Sequence, residues 1–251
     1  MSLTEDLRSL ILEYIKQPIP QNTNMPIMEQ SIPVPFFGDI ENAHIATISI
    51  NPSNREFEND KGTFLSGSDK RFTDRELLGV KDTDFLSDRQ SEEVYASLMN
   101  YFHKNPYYKG WFRTLDNYAG SILGGSYDDG TMVHLDIYPW ATKQKWNNLP
   151  ASEKKNALQK YNLLKKILLN RNFKYIYING KQTKEQMEKY FDITIPEFPI
   201  TNTKHKANHI RYMYKYKLGN TLLIGSSCYL QNSYESKEYL KELHDILSKN
   251  L

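Results

Sequence analysis

The 251-residue chain has a single cysteine, Cys228. That excludes an intramolecular disulfide and any self-contained thiolate-ligated zinc or iron–sulfur centre. A reducing cytosol is the natural compartment for such a chain. Long apolar runs are also missing, since nothing approaches the roughly 18 consecutive apolar residues of a membrane span. Glu5, Asp6 and Arg8 interrupt the apolar N-terminal residues where a signal peptide would be unbroken. The expectation is a cytoplasmic protein with no membrane partner. An excess of one charge is lacking as well: 32 Lys+Arg against 30 Asp+Glu leave +2, so a nucleic-acid partner has to be met by a local patch. The few glycines give no phosphate loop, because Gly124-Gly125 and Gly225 are too sparse for one. No G-x-S-x-G nucleophile motif occurs, and no papain-like signature surrounds Cys228, which reads as a buried structural thiol.

The composition that remains, 39% hydrophobic and 25% charged, is that of an ordinary globular protein. The length suits one domain spanning 1–251, with an N-terminal helix and a Pro-rich extension (1–35) packed on it. Leu7, Leu10, Ile11, Tyr14 and Ile15 form a helical stripe over Thr4–Lys16, and five prolines between Pro18 and Pro35 predict an extended crossing loop. Strands are expected at His44–Ile50, Met132–Ile137 and Phe173–Asn179. Helices are expected at Ser91–Lys104, Gly110–Leu123, Ser152–Leu169, Lys181–Tyr190 and Ser236–Leu247. Arg55–Gln90 reads as a long loop anchored by Phe57, Phe64, Phe72, Leu77, Leu78 and Phe85. Near the C-terminus, Ile210–Lys217 alternates with period two and Leu218-Gly219-Asn220 predicts a hairpin turn into Thr221–Gly225. Alternating strands and helices predict an α/β fold: a three-layer α/β/α sandwich around a mostly parallel sheet.

Three polar segments follow strands: Asn51-Pro52-Ser53-Asn54, Asp136–Thr142, and Gly225–Ser233. Parallel strands place their carboxyl ends on one edge, where ligands of open α/β sheets bind, so these segments are expected to converge on one cleft. His134 and Asp136 are two apart on a strand and share a face. A satisfied core histidine is the competing reading of His134. The segment from Phe198 to Tyr234 has no acidic residue but carries Lys204, Lys206, Arg211, Lys215 and Lys217 among tyrosines. That composition suits a nucleic-acid backbone with stacked bases, and equally a solvated hairpin. His205 and His209 have no acid or cysteine near them in sequence, so no metal site is expected.

In Val34-Pro35-Phe36-Phe37-Gly38-Asp39 and Ala46–Phe57 the chain resembles the uracil-DNA glycosylase superfamily. Weaker support comes from Lys70-Arg71-Phe72-Thr73, Leu78-Gly79, His134-Leu135-Asp136, Pro139–Thr142 and Trp146. The resemblance implies base excision from DNA with no cofactor. In that superfamily the first strand ends in a motif such as GINPG or GQDPYH, and its Asn or Asp directs the water that attacks the sugar carbon. Asn51 stands at that position and Pro52 follows it. An amide is no strong base, so Asn51 would orient water while the departing base and DNA phosphates stabilise an oxocarbenium-like state. The family's flipped base rests on an aromatic ring, for which Phe64 and Phe72 are the candidates, each equally readable as a core anchor. Pro52, Ser53, Ser226, Ser227 and Asn232 would contact the substrate, with Asn51 and Asn232 reading the base edge. The family's His-Pro-Ser-type loop is Ser226-Ser227-Cys228 here, with no histidine, and His134 and Asp136 are the candidates to compensate. Two other readings stay open: a non-catalytic nucleic-acid or nucleotide-binding module of the same fold, and a small-molecule hydrolase using Asp136 and His134.

Overall fold

A computed structural model of the chain describes residues 5–21, 23–105, 110–200, 211–230, 245, 246 and 249. It divides into two compact units, each assembled from separated stretches of sequence. One comprises Met1–Glu41, Ile50–Asn105 and Leu135–Arg171; the other comprises Asn42–Ser49, Pro106–His134 and Asn172–Leu251. The strands are β1 (Phe36–Phe37), β2 (Ile45–Ser49), β3 (Met132–Asp136), β4 (Tyr175–Asn179), β5 (Glu197–Ile200), β6 (Arg211–Leu218) and β7 (Thr221–Ser226). They form one sheet in the order β1-β3-β2-β4-β7-β6-β5.

This sheet is mixed. β4 pairs in parallel with both β2 and β7, whereas β6 pairs antiparallel with both β5 and β7. The expected hairpin forms, with Gly219 at φ +57°, a left-handed conformation that glycine takes without strain. Gly225 allows β7 to lie close to β4: a Cβ there would come within 2.1 Å of Ile178 O. β2, with β-branched Ile45, Thr47 and Ile48, is buried along its whole length, as a central strand covered on both faces must be. The C-terminal helix expected at Ser236–Leu247 lies outside the described residues, apart from helical Asp245 and Ile246.

In the first unit, α1 (Glu5–Ile15) buries Leu7, Ile11 and Ile15, each contributing about 1.5–3 kcal/mol by leaving water. It packs on α2 (Asp88–Met99), which a Ser87/Gln90 capping box opens. Arg8 donates to both oxygens of Glu92, at 2.9 and 2.6 Å. The helix expected over Ser91–Lys104 starts earlier and breaks at Asn100 before α3 (Tyr101–Lys104). In the second unit, Gly110–Leu123 is α4 (Trp111–Leu115), a π-helical turn at Asp116–Gly120, and α5 (Ser121–Leu123) rather than one helix. The helix expected over Ser152–Leu169 is likewise two, α6 (Ala151–Lys160) and α7 (Leu163–Asn170). Tyr161 between them is extended, at φ −105° and ψ 108°. The helix after β4 is α8 (Lys181–Phe191).

The long segment after Asn51 is held by few groups. Phe57 and Phe72 are buried as expected, but Leu77 and Phe85 are 53% and 65% exposed and anchor nothing. Arg75 does what those side chains were expected to do. It is fully buried and donates to the carbonyls of Gln17 (2.7 Å), Ser31 (3.1 Å), Lys81 (2.8 Å) and Asp84 (2.8 Å). Burial lowers its pKa, and Asp82 and Asp84 oppose that shift. A fixed five-donor fork can join four separate loop carbonyls in this way.

Candidate functional site

β2 ends at Ser49, and the chain turns through Asn51, Pro52 and Ser53 into a 3-10 turn at Asn54–Glu56. Ser53, exposed, caps that turn by accepting from the Arg55 N–H at 3.2 Å. In this unit the Tyr138 N–H donates to Ile50 O at 2.8 Å, which lays the segment after β3 beside the Asn51 turn. The half-buried Asn51 then meets three acceptors. Its Nδ2 donates to Pro52 O at 3.0 Å, to Thr142 Oγ1 at 3.2 Å and, more weakly, to Trp140 O at 3.5 Å.

These partners fix which way the amide faces. Carbonyl oxygens only accept, and the Thr142 hydroxyl spends its own proton on Gln144 O at 2.7 Å. The nitrogen of Asn51 must therefore face them, and Oδ1 is left as an acceptor with no hydrogen-bond partner among the described residues.

Beside the turn is a buried acid that the sequence reading passed over. Glu56 is 4% exposed and accepts from the Tyr101 hydroxyl at 2.6 Å, with Arg71 Nη1 at 3.6 Å. Burial pushes its pKa up to about 7. Arg71 and the Tyr101 hydrogen bond oppose the shift, and the charge of Asp136 reinforces it. Tyr101 is itself raised well above the usual phenol value, first by burial and then by Glu56. The only sequence signal was an acid five residues beyond Asn51 in a polar run broken only by Phe57, a setting that solvent-facing acids share.

Asp136 is buried at the end of β3. Pro52 is buried. Phe72 is 1% exposed, among Phe37, Phe57 and Tyr101 with ring centroids 5.1–5.7 Å away, so neither face of its ring is open for stacking. Phe64, half-buried and bridged to Glu58, keeps part of its ring in solvent.

In the second unit, His134 is 1% exposed, with Nδ1 2.7 Å from Thr47 Oγ1 and its ring against Trp111 and Phe112 at 5.0 and 5.3 Å. Thr47 Oγ1 also meets the Tyr127 hydroxyl at 2.5 Å. The parallel β2, β4 and β7 bring Ser49, Asn179 and Ser226 to one edge, where Asn179 Nδ2 donates to Ser49 Oγ at 3.3 Å. Ser226 is fully buried. Its hydroxyl donates to Cys228 O at 2.8 Å and lies 3.2 Å from the Tyr177 hydroxyl. Ser227 Oγ accepts from the Tyr212 N–H at 2.9 Å, and Cys228 is buried and in no disulfide.

Of the basic patch, Lys204 and Lys206 lie outside the described residues, as does Asn232. Arg211 and Lys215 are half-buried and Lys217 is exposed, all on β6. Strand alternation puts these three on one face and Tyr212, Tyr214 and Tyr216 on the other. The cations and rings adjacent in sequence thus do not share a surface on this strand. Among the described residues no group of three or more His, Cys, Asp or Glu is placed to hold a metal, and no helix is long and apolar enough to cross a membrane.

In comparison with known proteins, the chain matches no family model and no curated relative.

Proposed function

We propose that the chain is a uracil-DNA glycosylase-like hydrolase of the cytoplasm. On this reading its mixed sheet is the centre of a three-layer α/β/α sandwich, its partner is single- or double-stranded DNA, and it uses no metal or redox cofactor. The observation that carries the reading is the pinned Asn51 amide, whose nitrogen is bound to oxygen acceptors and whose Oδ1 has no hydrogen-bond partner among the described residues. An extruded uracil or related damaged base would stack on Phe64. Oδ1 accepts a hydrogen bond from a water and aims its lone pair at the sugar C1′. The C1′–N bond breaks, the water oxygen bonds to C1′, and the proton it sheds balances the charge on the departing base. Nearby phosphates stabilise the oxocarbenium-like state. The carboxylate of Asp136, buried at the end of β3, adds negative charge that favours the same state.

The reading is tested by incubating the protein with labelled oligonucleotides containing uracil, hypoxanthine or a mismatched thymine and treating them with alkali. Strand breaks at the modified base are expected, and no breaks with any of the three would overturn it. A second reading, a binding module of the same fold without chemistry, is favoured by one observation. The loop after β7 has no histidine, and the hydroxyl of Ser226 is already engaged by Cys228 O and Tyr177. Salt-sensitive binding without strand breaks would select it.

A further inference from the structure

Two adjoining clefts open on the first unit, and their lining includes Trp140 and Tyr138, whose backbones are bonded to the Asn51 turn, but not Asn51 itself. One, of about 440 Å³, is lined by Tyr14, Pro18, Pro20, Trp140, Lys160 and Tyr161, with Leu10, Glu13 and Gln17. The other, of about 270 Å³, shares Pro20, Lys160 and Tyr161 and adds Tyr138, Asn24, Glu153 and Asn156. Together they fall in the size range of small-ligand sites. The break between α6 and α7 creates this wall. Tyr161 leaves the helical path, and its ring packs edge-on against Tyr14 and Tyr138, with centroids 5.9 and 5.2 Å away.

The charged lining groups are not equivalent. Glu13 is paired with Lys16, and Glu153 accepts from Asn24 at 3.2 Å. Lys160 is exposed, stands 5.7 Å over the Tyr161 ring, and has no carboxylate partner among the described residues. Lys145, Lys154, Lys155, Lys165 and Lys166, from the same stretch of this unit, make no ion pair there either, and from Lys143 to Lys174 the one acid is Glu153. Asn156, on the cleft-facing side of α6, makes no hydrogen bond within the described residues, so its amide can donate and accept at a ligand's edge.

We propose that these clefts form a nucleotide site separate from the Asn51 turn. A nucleobase lies against the half-buried rings of Tyr14 and Tyr161, Trp140 and Tyr138 being only 1% exposed, with its edge at Asn156, and its phosphate is bound by Lys160. The lysines of α6 and α7 attract further phosphates when the nucleotide belongs to a strand. Aromatic faces accept any base, and a cation without a partner supplies the anion contact, which is the design of sequence-tolerant single-strand sites. The site goes beyond the glycosylase reading and does not depend on it, because Asn51 is not among the lining residues.

The test is a fluorescence titration of the full chain with uridine monophosphate and, separately, with a short oligothymidylate. Lys160→Glu and Tyr161→Leu are the site variants, and Lys189→Glu, an exposed lysine on α8, is the matched charge control. Circular dichroism verifies the fold of each. Binding that weakens about tenfold in Lys160→Glu, as expected for loss of one charge-assisted phosphate contact, and also in Tyr161→Leu, but not in Lys189→Glu, supports the site. Mononucleotide binding as tight as that of the oligomer identifies a free nucleotide as the ligand; much tighter oligomer binding identifies a strand. The proposal is overturned if neither probe binds, if Lys160→Glu and Lys189→Glu lose affinity equally, or if a folded Tyr161→Leu binds like the wild type. The glycosylase assay reads base release and this titration reads mononucleotide binding, so a Lys160→Glu protein that loses binding but keeps its base release separates the two outcomes.

Discussion

Replacing Glu56 by Gln is expected to change how stability depends on pH. The carboxyl moves from an ordinary 4.5 to about 7 on folding, which at 1.36 kcal/mol per tenfold is on the order of 3 kcal/mol. Because the folded value is the higher one, the native state holds this proton where the unfolded chain has released it. The stabilisation is complete below about pH 4.5 and is lost as pH rises to about 7. Glutamine keeps an oxygen for the Tyr101 hydroxyl but cannot ionise, so Glu56→Gln lacks this dependence. Urea unfolding of both proteins at about pH 5 and about pH 8 reads the effect, and histidine contributions cancel in the comparison. Glu56→Gln should gain about 2.5 kcal/mol relative to wild type between the two conditions, the opposing effect of Arg71 being already contained in the value of about 7. Identical pH dependence in the two proteins, or a relative loss by Glu56→Gln at the higher pH, would refute a carboxyl governed by burial and show one governed by Arg71.

Arg75→Leu should cost about 3–5 kcal/mol in the same unfolding assay, since it strands four carbonyls that a buried guanidinium now satisfies. Thr142→Val removes an acceptor of the Asn51 amide and should lower base release about tenfold or more, with Thr142→Ser retaining it, while stability falls by only about 1 kcal/mol. Gly225→Ala places a Cβ 2.1 Å from Ile178 O and should destabilise by more than about 2 kcal/mol, measured as a drop in melting temperature.

Local pattern carried most of the elements. The strand-forming runs at 45–49 and 175–179, rich in Ile, Thr and Tyr, the helical stripe of α1 and the Gly219 hairpin are each specified by side-chain period and turn chemistry. What escaped was set by distant partners. Tyr161 has neither the rotational freedom of glycine nor the missing donor of proline, so nothing local marks the helix break; its ring is drawn to Tyr14 and Tyr138. β5 contains Pro199 and has three exposed residues, poor strand signals, and exists by pairing with β6 along a sheet edge. The antiparallel β6–β7 hairpin was expected; that β5 adds a second antiparallel pair to the same sheet was not, because no local pattern names its partner. At the site, the Asn51 turn was legible because apolar strand gives way abruptly to polar turn. Its partner Thr142, 91 residues away, and the burial of Glu56 are tertiary facts. Of the two aromatic candidates named from sequence, Phe72 is enclosed by three rings and Phe64 is half-buried, a distinction only tertiary packing makes.

The central claim is that a fixed amide presents its oxygen to an attacking water. Single-turnover release of uracil from a labelled oligonucleotide, measured beside the affinity for the same oligonucleotide, tests it most directly. The account predicts that Asn51→Ala binds as tightly as wild type but releases base at least about a hundredfold more slowly, the scale of losing one preorganised polar group at a reacting centre. Release at the wild-type rate by Asn51→Ala, or none by the wild type itself, would contradict it.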